Sequence, residues 1–112
     1  MAESAFVKTL GRSPKIRLLD FFLENNIFDY TKSEVSEETG ISRVTLNVLW
    51  PDIVKKKIIV PKRTIANAVL YRLNNSSPVV KKLKELDFIL SKELGENAIK
   101  KKTSSNKIRV SH

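Results

Sequence analysis

The chain has 112 residues, enough for one domain with a modest core. Lysine and arginine number 21 against 12 aspartate and glutamate residues, and the resulting net charge of +9 favours a polyanionic partner. No cysteine is present and His112 is the one histidine, which excludes a disulfide framework, a thiolate metal site and a cysteine nucleophile.

A first helix is predicted after a leader formed by residues 1–12. Ser13 and Pro14 are a helix start signal, with serine as the N-cap and proline at the first helical position. The helix is apolar over more than half of its circumference, because Leu18 and Phe21 lie off its main apolar stripe. The core of one small domain can bury only one face of this helix. The remaining apolar surface therefore predicts a second contact, made with a terminal helix or with another subunit.

The next segment has the spacing of a helix-turn-helix. Thr31 and Glu34 form a capping box that starts a second helix, and Gly40 suits the left-handed residue that ends it. Ser42 then caps a third helix. Apolar residues stand where the two crossing helices must touch, namely Val35, Ile41, Leu46 and Leu49. The unit is thus predicted to present the outer face of the third helix to solvent.

A β-hairpin is predicted to follow this third helix. Residues 58–60 open its first strand, and residues 69–73 form its second. The tip between the strands lacks glycine, which predicts a connection longer than two residues, and Asn67 is its candidate for a positive φ. Upstream, Pro51 predicts a kink or break in the third helix, and Trp50 is predicted to be core beneath the hairpin. The predicted fold is mainly α with a small β-hairpin (α+β), a winged helix-turn-helix.

A C-terminal helix is predicted for residues 78–94. Its apolar residues Val79, Leu83, Leu86, Leu90 and Leu94 recur at spacings of four, three, four and four, which is close to a narrow seam of two heptads. The seam packs either on its own domain or on a second copy, and the surplus apolar surface of the first helix favours a homodimer. The predicted dimer interface consists of Leu18, Phe21, Leu83, Leu86 and Leu90. The domain is assigned to residues 13–95, and the basic stretch 96–112 is predicted to be a disordered tail.

Charge is segregated along the chain. Between Glu24 and Glu38 there are five acidic residues and one lysine, whereas Arg43 to Arg72 contains seven basic residues and one acid. The third helix and the hairpin therefore share the positive charge, as a DNA-facing surface requires. The predicted DNA-binding residues are Ser42, Arg43, Val44, Thr45, Asn47, Val48, Lys62, Arg63 and Asn67. The alternative for each is an ordinary solvated face.

These residue types suit groove recognition. Arg43 has the geometry to bind guanine in a bidentate manner, and Asn47 has the geometry to bind adenine. Val44 and Val48 suit thymine methyl groups, while serine and threonine hydroxyls bind phosphates or bases. In the hairpin, an arginine placed in the minor groove senses groove width and so favours A·T-rich flanks.

Other classes of function find little support in the sequence. It has no internal histidine, no glycine-rich phosphate loop, and no cluster with metal-ligand spacing. It also has no apolar run of membrane-spanning length and no signal-peptide core. The expectation is a cytoplasmic, nucleoid-associated protein that is not an enzyme and has no cofactor, metal or membrane partner.

Four runs carry a resemblance to a known group of proteins. They are SPKIRLLDFFLEN, YTKSEVSEETGISRVTLNVLWPDIVKKKIIV, NAVLYRLN and SPVVKKLKELDFIL. Together they resemble small archaeal winged helix-turn-helix regulators, similar to the MarR and ArsR groups, over residues 13 to 94. The resemblance implies that the third helix reads the major groove of double-stranded DNA, that the wing touches the minor groove, and that terminal helices form a homodimer. The metal ligands of ArsR-like proteins are missing, so metal sensing is not implied.

Three functions remain open from the sequence. The first is a sequence-specific transcription regulator, and the second is an architectural DNA-binding protein that tolerates many sequences. The third is a protein-interaction adaptor, since winged helices also serve in that role. The ratio of specific to non-specific DNA affinity separates the first two, and an adaptor would bind neither kind of duplex.

Overall fold

The computed structural model describes residues 3–103, with side chains described as far as residue 95. This part of the chain forms five helices and one two-stranded antiparallel sheet, so the predicted α+β class is confirmed. In chain order the elements are α1 (Ala5–Leu10), α2 (Pro14–Glu24), α3 (Lys32–Thr39), α4 (Arg43–Lys55), β1 (Ile59–Ile65), β2 (Ala68–Leu73) and α5 (Pro78–Thr103).

Local signals set the starts and ends of the central helices. The side chains of Ser13, Thr31 and Ser42 each accept a hydrogen bond from the backbone N–H three residues later, as N-caps do. The capping box of Thr31 and Glu34 is complete in both directions. Gly40 ends α3 in the left-handed conformation, with φ +76°. All of these predictions are confirmed.

The core lies between α2, α4 and the hairpin and is built around aromatic rings. Phe22 is fully buried, and its ring meets that of Trp50 edge-on at 6.0 Å between centroids. Trp50 in turn lies 5.3 Å from Tyr71 of β2. The prediction that Trp50 is core beneath the hairpin is therefore confirmed. The predicted break is wrong, because α4 runs unbroken through Pro51 to Lys55.

The hairpin is tighter than predicted. Ile65 pairs with Ala68, so only Ala66 and Asn67 connect the strands. Both have positive φ, +48° and +68°, which matches a primed two-residue turn. The positive φ of Asn67 is confirmed, whereas the longer connection is wrong because Ala66 also takes a left-handed conformation that alanine rarely adopts. The register of β1 against β2 shifts between Pro61 and Arg63, so Lys62 has no paired residue in β2.

The leader belongs to the folded unit. Ser4 caps α1, and Phe6 is fully buried within the main core cluster. Helix α1 packs against both α2 and α5. The domain boundary predicted at residue 13 therefore moves toward the N-terminus. At the other end, α5 continues to Thr103, so the predicted disordered tail is helical over its first eight residues, 96–103, and residues 104–112 lie outside the described part.

The predicted dimer interface is largely occupied by the chain itself. Leu18 is fully buried in the core cluster that includes Phe6 of α1, so its assignment to a subunit interface is wrong. Phe21 is half-buried and packs edge-on against the neighbouring rings of the core. Leu83 and Leu90 turn toward the core of their own domain. Of the five predicted residues, Leu86 is the exposed one, at 38%.

The carboxyl groups of Asp20 and Glu24 on α2 lie near the carboxyl group of Asp87 on α5. Burial raises the pKa of Asp87, and the charge of Asp20 raises it further. Burial likewise raises the pKa of Asp20, although a hydrogen bond from Ser4 opposes the shift. Glu24 has a raised pKa from burial and then from both neighbouring aspartates. One carboxylate oxygen of Asp87 is buried without a hydrogen-bond partner among the described residues.

We expect Asp87→Asn to raise the melting temperature at neutral pH. The folded state holds this proton more tightly than the unfolded state, so the wild type loses stability as pH rises through the raised pKa. The advantage of the variant should shrink as pH falls below that pKa, in melts stepped down to about pH 3. Glu85→Gln, on the exposed face of α5, is the control for charge. An advantage that persists at low pH would contradict this electrostatic explanation.

Candidate nucleic-acid interface

The outward face of α4 combines apolar and polar side chains. Val44 and Val48 are 76% and 74% exposed. Arg43 and Asn47 are exposed beside them, while Thr45 is half-buried. The spacing of 44, 47 and 48 puts these residues on one stripe of the helix, as predicted. The exposed N-cap Ser42 donates its hydroxyl to Thr45 Oγ1 at 3.1 Å, so both hydroxyls lie at the start of this face.

Two hydrogen bonds join this face to the first turn of α3. Arg43 donates from Nη1 to Ser33 Oγ at 2.6 Å, and Lys32 donates from Nζ to Asn47 Oδ1 at 3.0 Å. The Lys32 ammonium also lies 5.7 Å from the centroid of the Trp50 ring, within the range of a cation–π contact. The two polar residues predicted to read bases therefore also hold α3 and α4 together.

A groove separates the start of α3 from the second strand of the hairpin. Its volume is about 230 Å³. It is lined by Thr31, Lys32, Ser33, Arg43, Ala68, Val69 and Tyr71. Two cations and three hydroxyl-bearing side chains line one small space, and such donors bind phosphate groups.

The sequence did not predict that Lys32 and Ser33 belong to this site. The sequence predicts an acidic supporting helix here, because α3 carries Glu34 in its first turn and Glu37 and Glu38 further along. The signal lay in the first turn, where a lysine and a serine directly follow the cap. The first turn of α3 lies beside the start of α4, and that placement brings both residues to the groove.

In the hairpin, the predicted contact residues differ in their surroundings. Lys62 lies at the register shift of β1 and is exposed, and Asn67 is exposed in the turn. Arg63 instead donates from Nε to Asp29 at 2.9 Å. Arg72 donates to the other oxygen of the same carboxylate at 2.6 Å. The charge of Arg63 is thus compensated within the chain.

Asp29 therefore binds one arginine from each strand of the hairpin, and we call the ion pairs of Asp29 with Arg63 and Arg72 the clamp. Its side chain is only 6% exposed and accepts from both arginines. Burial raises the pKa of Asp29, but the hydrogen bonds and charges of Arg72 and Arg63 outweigh burial and hold the pKa below its usual value. Next to the clamp, Tyr30 and Tyr71 exchange two backbone hydrogen bonds, at 2.8 and 2.7 Å. Together these contacts join the hairpin to the segment before α3.

We expect Asp29→Asn to loosen the hairpin without unfolding the domain. The amide cannot compensate two guanidinium charges, so the amide protons of β1 and β2 should exchange faster, while those of α2 stay protected. In the wild type this stabilisation is present above the unfolded pKa and is lost as pH falls through the lowered one. Glu37→Gln, on the exposed face of α3, removes the same charge. Unchanged exchange in the hairpin of Asp29→Asn would show that the clamp contributes nothing.

No family model matches the chain, and no curated protein matches it. Among the side chains that the structure describes, no group of three histidine or carboxylate residues is placed to hold a metal ion. Over the same part of the chain, every helix is too short or too polar to span a bilayer.

Proposed function

We propose that the protein is a winged helix-turn-helix regulator that binds double-stranded DNA at specific sequences. The observation that carries the proposal is the exposed face of α4 beside the cationic groove. That face offers Arg43 and Asn47 for base edges, and Lys32 stands next to it for a backbone phosphate.

The diameter of α4 suits insertion into the major groove of DNA. A helix with its side chains is about 10–12 Å across, and the major groove of B-DNA is about 12 Å wide. With α4 in the groove, the N-terminal turn that contains Ser42 and Thr45 meets base edges or a flanking phosphate. The hairpin acts as the wing, and Lys62 and Asn67 are its candidates for contact with the minor groove or backbone. Arg63 reaches DNA only if it leaves Asp29.

The proposal includes a homodimer formed through α5, because paired recognition helices double the length of sequence that is read. Although the inner side of α5 packs on its own domain, five of its large apolar side chains remain 38–68% exposed: Val79, Leu86, Phe88, Ile89 and Leu94. We expect the double variant Leu86→Glu/Ile89→Glu to sediment as a monomer. Ile65→Glu, on a similarly exposed residue of the hairpin, should sediment like the wild type. If wild type and double variant both sediment as monomers, the dimer is excluded.

An adaptor function is the second candidate. The observation that favours it is the exposure of Val44 and Val48, since large exposed apolar groups also mark protein interfaces. An architectural role is the alternative within DNA binding, and the net charge of +9 favours it. The chemistry of the groove ranks DNA first, because its two cations and three hydroxyls suit a phosphate better than an apolar partner.

The decisive experiment is a salt titration of binding to two fluorescent duplexes. One is a random pool, and the other is selected from genomic fragments. A selected duplex that binds about 10³-fold or more tightly at physiological salt supports the regulator. Equal affinities with a steep salt dependence support the architectural role. Absence of binding to both duplexes at low salt overturns the DNA proposal and leaves the adaptor.

A further inference from the structure

Val44 and Val48 are the two most exposed large hydrophobic side chains in the described part of the chain, at 76% and 74%. They are four residues apart and lie on the same face of α4. Pro51, which is also exposed, continues this apolar strip one turn further. Neither valine belongs to the core cluster or to the residues packed against it. The apolar strip therefore has no partner within its own domain.

The polar residues of the same helix lie at the edge of the strip. Arg43 bonds to Ser33, and Asn47 accepts from Lys32, so both side chains are drawn toward α3. The strip is thus flanked on one side by two cations and is apolar along its centre. This pattern suits a surface that carries isolated apolar groups between rows of negative charge.

The major groove of DNA is such a surface. Phosphates border it, and the apolar group that a base exposes there is the methyl on C5 of a pyrimidine. Against any other base edge, the two valines would cover a polar group without offering a hydrogen bond, which is unfavourable. We infer that Val44 and Val48 recognise pyrimidine C5-methyl groups, as specificity-determining residues of the DNA site. The inference rests on the proposed function.

The helix geometry limits where these methyl groups lie. Four residues of α-helix span about 6 Å along the axis, and one base-pair step rises about 3.4 Å. With α4 along the groove, the two valines meet methyl groups about two steps apart. The preferred half-site therefore contains two methyl-bearing pyrimidines at that separation. Thymine and 5-methylcytosine carry the same group, and both are candidates.

The experiment uses the full chain and the duplex selected by genomic binding. In one set of duplexes each thymine is replaced in turn by deoxyuridine, which removes only the methyl group. In another set each cytosine is replaced by 5-methylcytosine. We expect a loss of about fourfold in affinity for each contacted methyl removed, and a similar gain where a contacted cytosine acquires one. A loss with deoxyuridine identifies thymine, a gain with 5-methylcytosine identifies that base, and either result supports the inference.

A variant of the protein separates methyl contact from changes in DNA stiffness. Val44→Ser/Val48→Ser removes the apolar groups at exposed positions, and serine and valine have similar helix propensity. In this variant the methyl dependence should disappear, while Ile27→Ser, at a residue 65% exposed before α3, should keep it. Methyl-independent binding by the wild type overturns the inference and leaves the regulator intact. Methyl dependence that survives in the double variant also overturns it. Absence of binding to every duplex overturns the inference and the proposed function together.

Discussion

Replacing Arg43 and Asn47 together with alanine is expected to lower the ratio of specific to random-duplex affinity by about 100-fold. Each bidentate contact to a base contributes about 1–3 kcal/mol of discrimination, and two such contacts at the lower part of that range give this factor. Random-duplex affinity should fall much less, because the variant loses only one positive charge. The measurement is a competition titration of the selected duplex against the random pool at fixed salt.

The hydrogen bonds of Arg43 and Asn47 within the protein support the choice of this pair. Arg43 donates a hydrogen bond to Ser33, and Asn47 accepts one from Lys32. Arg43, Ser33 and Lys32 also line the groove, and Asn47 lies beside it on α4. In the proposed complex, a base edge replaces Ser33 as the partner of Arg43, and a phosphate replaces Asn47 as the partner of Lys32. The amide of Asn47 is then free for a second base edge. Binding thus exchanges hydrogen bonds within the protein for hydrogen bonds to the duplex, which keeps polar groups paired throughout.

Two controls make the result interpretable. Lys81→Ala removes one exposed positive charge from α5, away from the proposed interface, and should leave the affinity ratio unchanged. The circular dichroism of the double variant should match that of the wild type, because both substituted residues are exposed. An unchanged ratio in the double variant, with binding retained, would refute base reading by this pair and favour the architectural role.

Among the features that the sequence predicts correctly are helix starts and ends, which are determined by residues close together in the chain. Ser13, Thr31 and Ser42 were identified as caps because each acts on backbone groups only three residues away. Gly40 was identified because a helix end needs a left-handed residue there. By contrast, nothing local marked Ala66 as left-handed. The pairing of Ile65 with Ala68 leaves only two residues to turn the chain, so the strands impose that conformation.

The errors concern contacts between segments distant in sequence. The apolar excess of α2 was assigned to a subunit interface, whereas Phe6 from the leader shares a buried cluster with Leu18. Periodicity shows that a face is buried but does not identify what buries it. In the candidate site, exposure of the α4 face followed from helical spacing. The pairing of Arg63 with Asp29, 34 residues apart, has no local signal.

The largest effect on stability is expected for Phe22→Ala. Phe22 is fully buried, and its ring lies edge-on to Phe21, Tyr30 and Trp50 at centroid distances of 5.5, 6.4 and 6.0 Å. Removing a buried phenyl ring costs about 3–5 kcal/mol, since the cavity collapses only in part. Small domains are stable by about 5–15 kcal/mol, so the variant should lose a large share of its free energy of unfolding.

Urea denaturation measures this loss as a lower midpoint with an unchanged slope. Phe28→Ala is the matched control, because Phe28 is 55% exposed and its removal should change the free energy of unfolding by about 0.5 kcal/mol or less. Similar midpoints for the two variants would contradict the central role of Phe22. The consequence extends to the interface, because Trp50 belongs to α4 and packs on Tyr71 of β2. The cluster around Phe22 therefore supports both elements that are proposed to contact DNA.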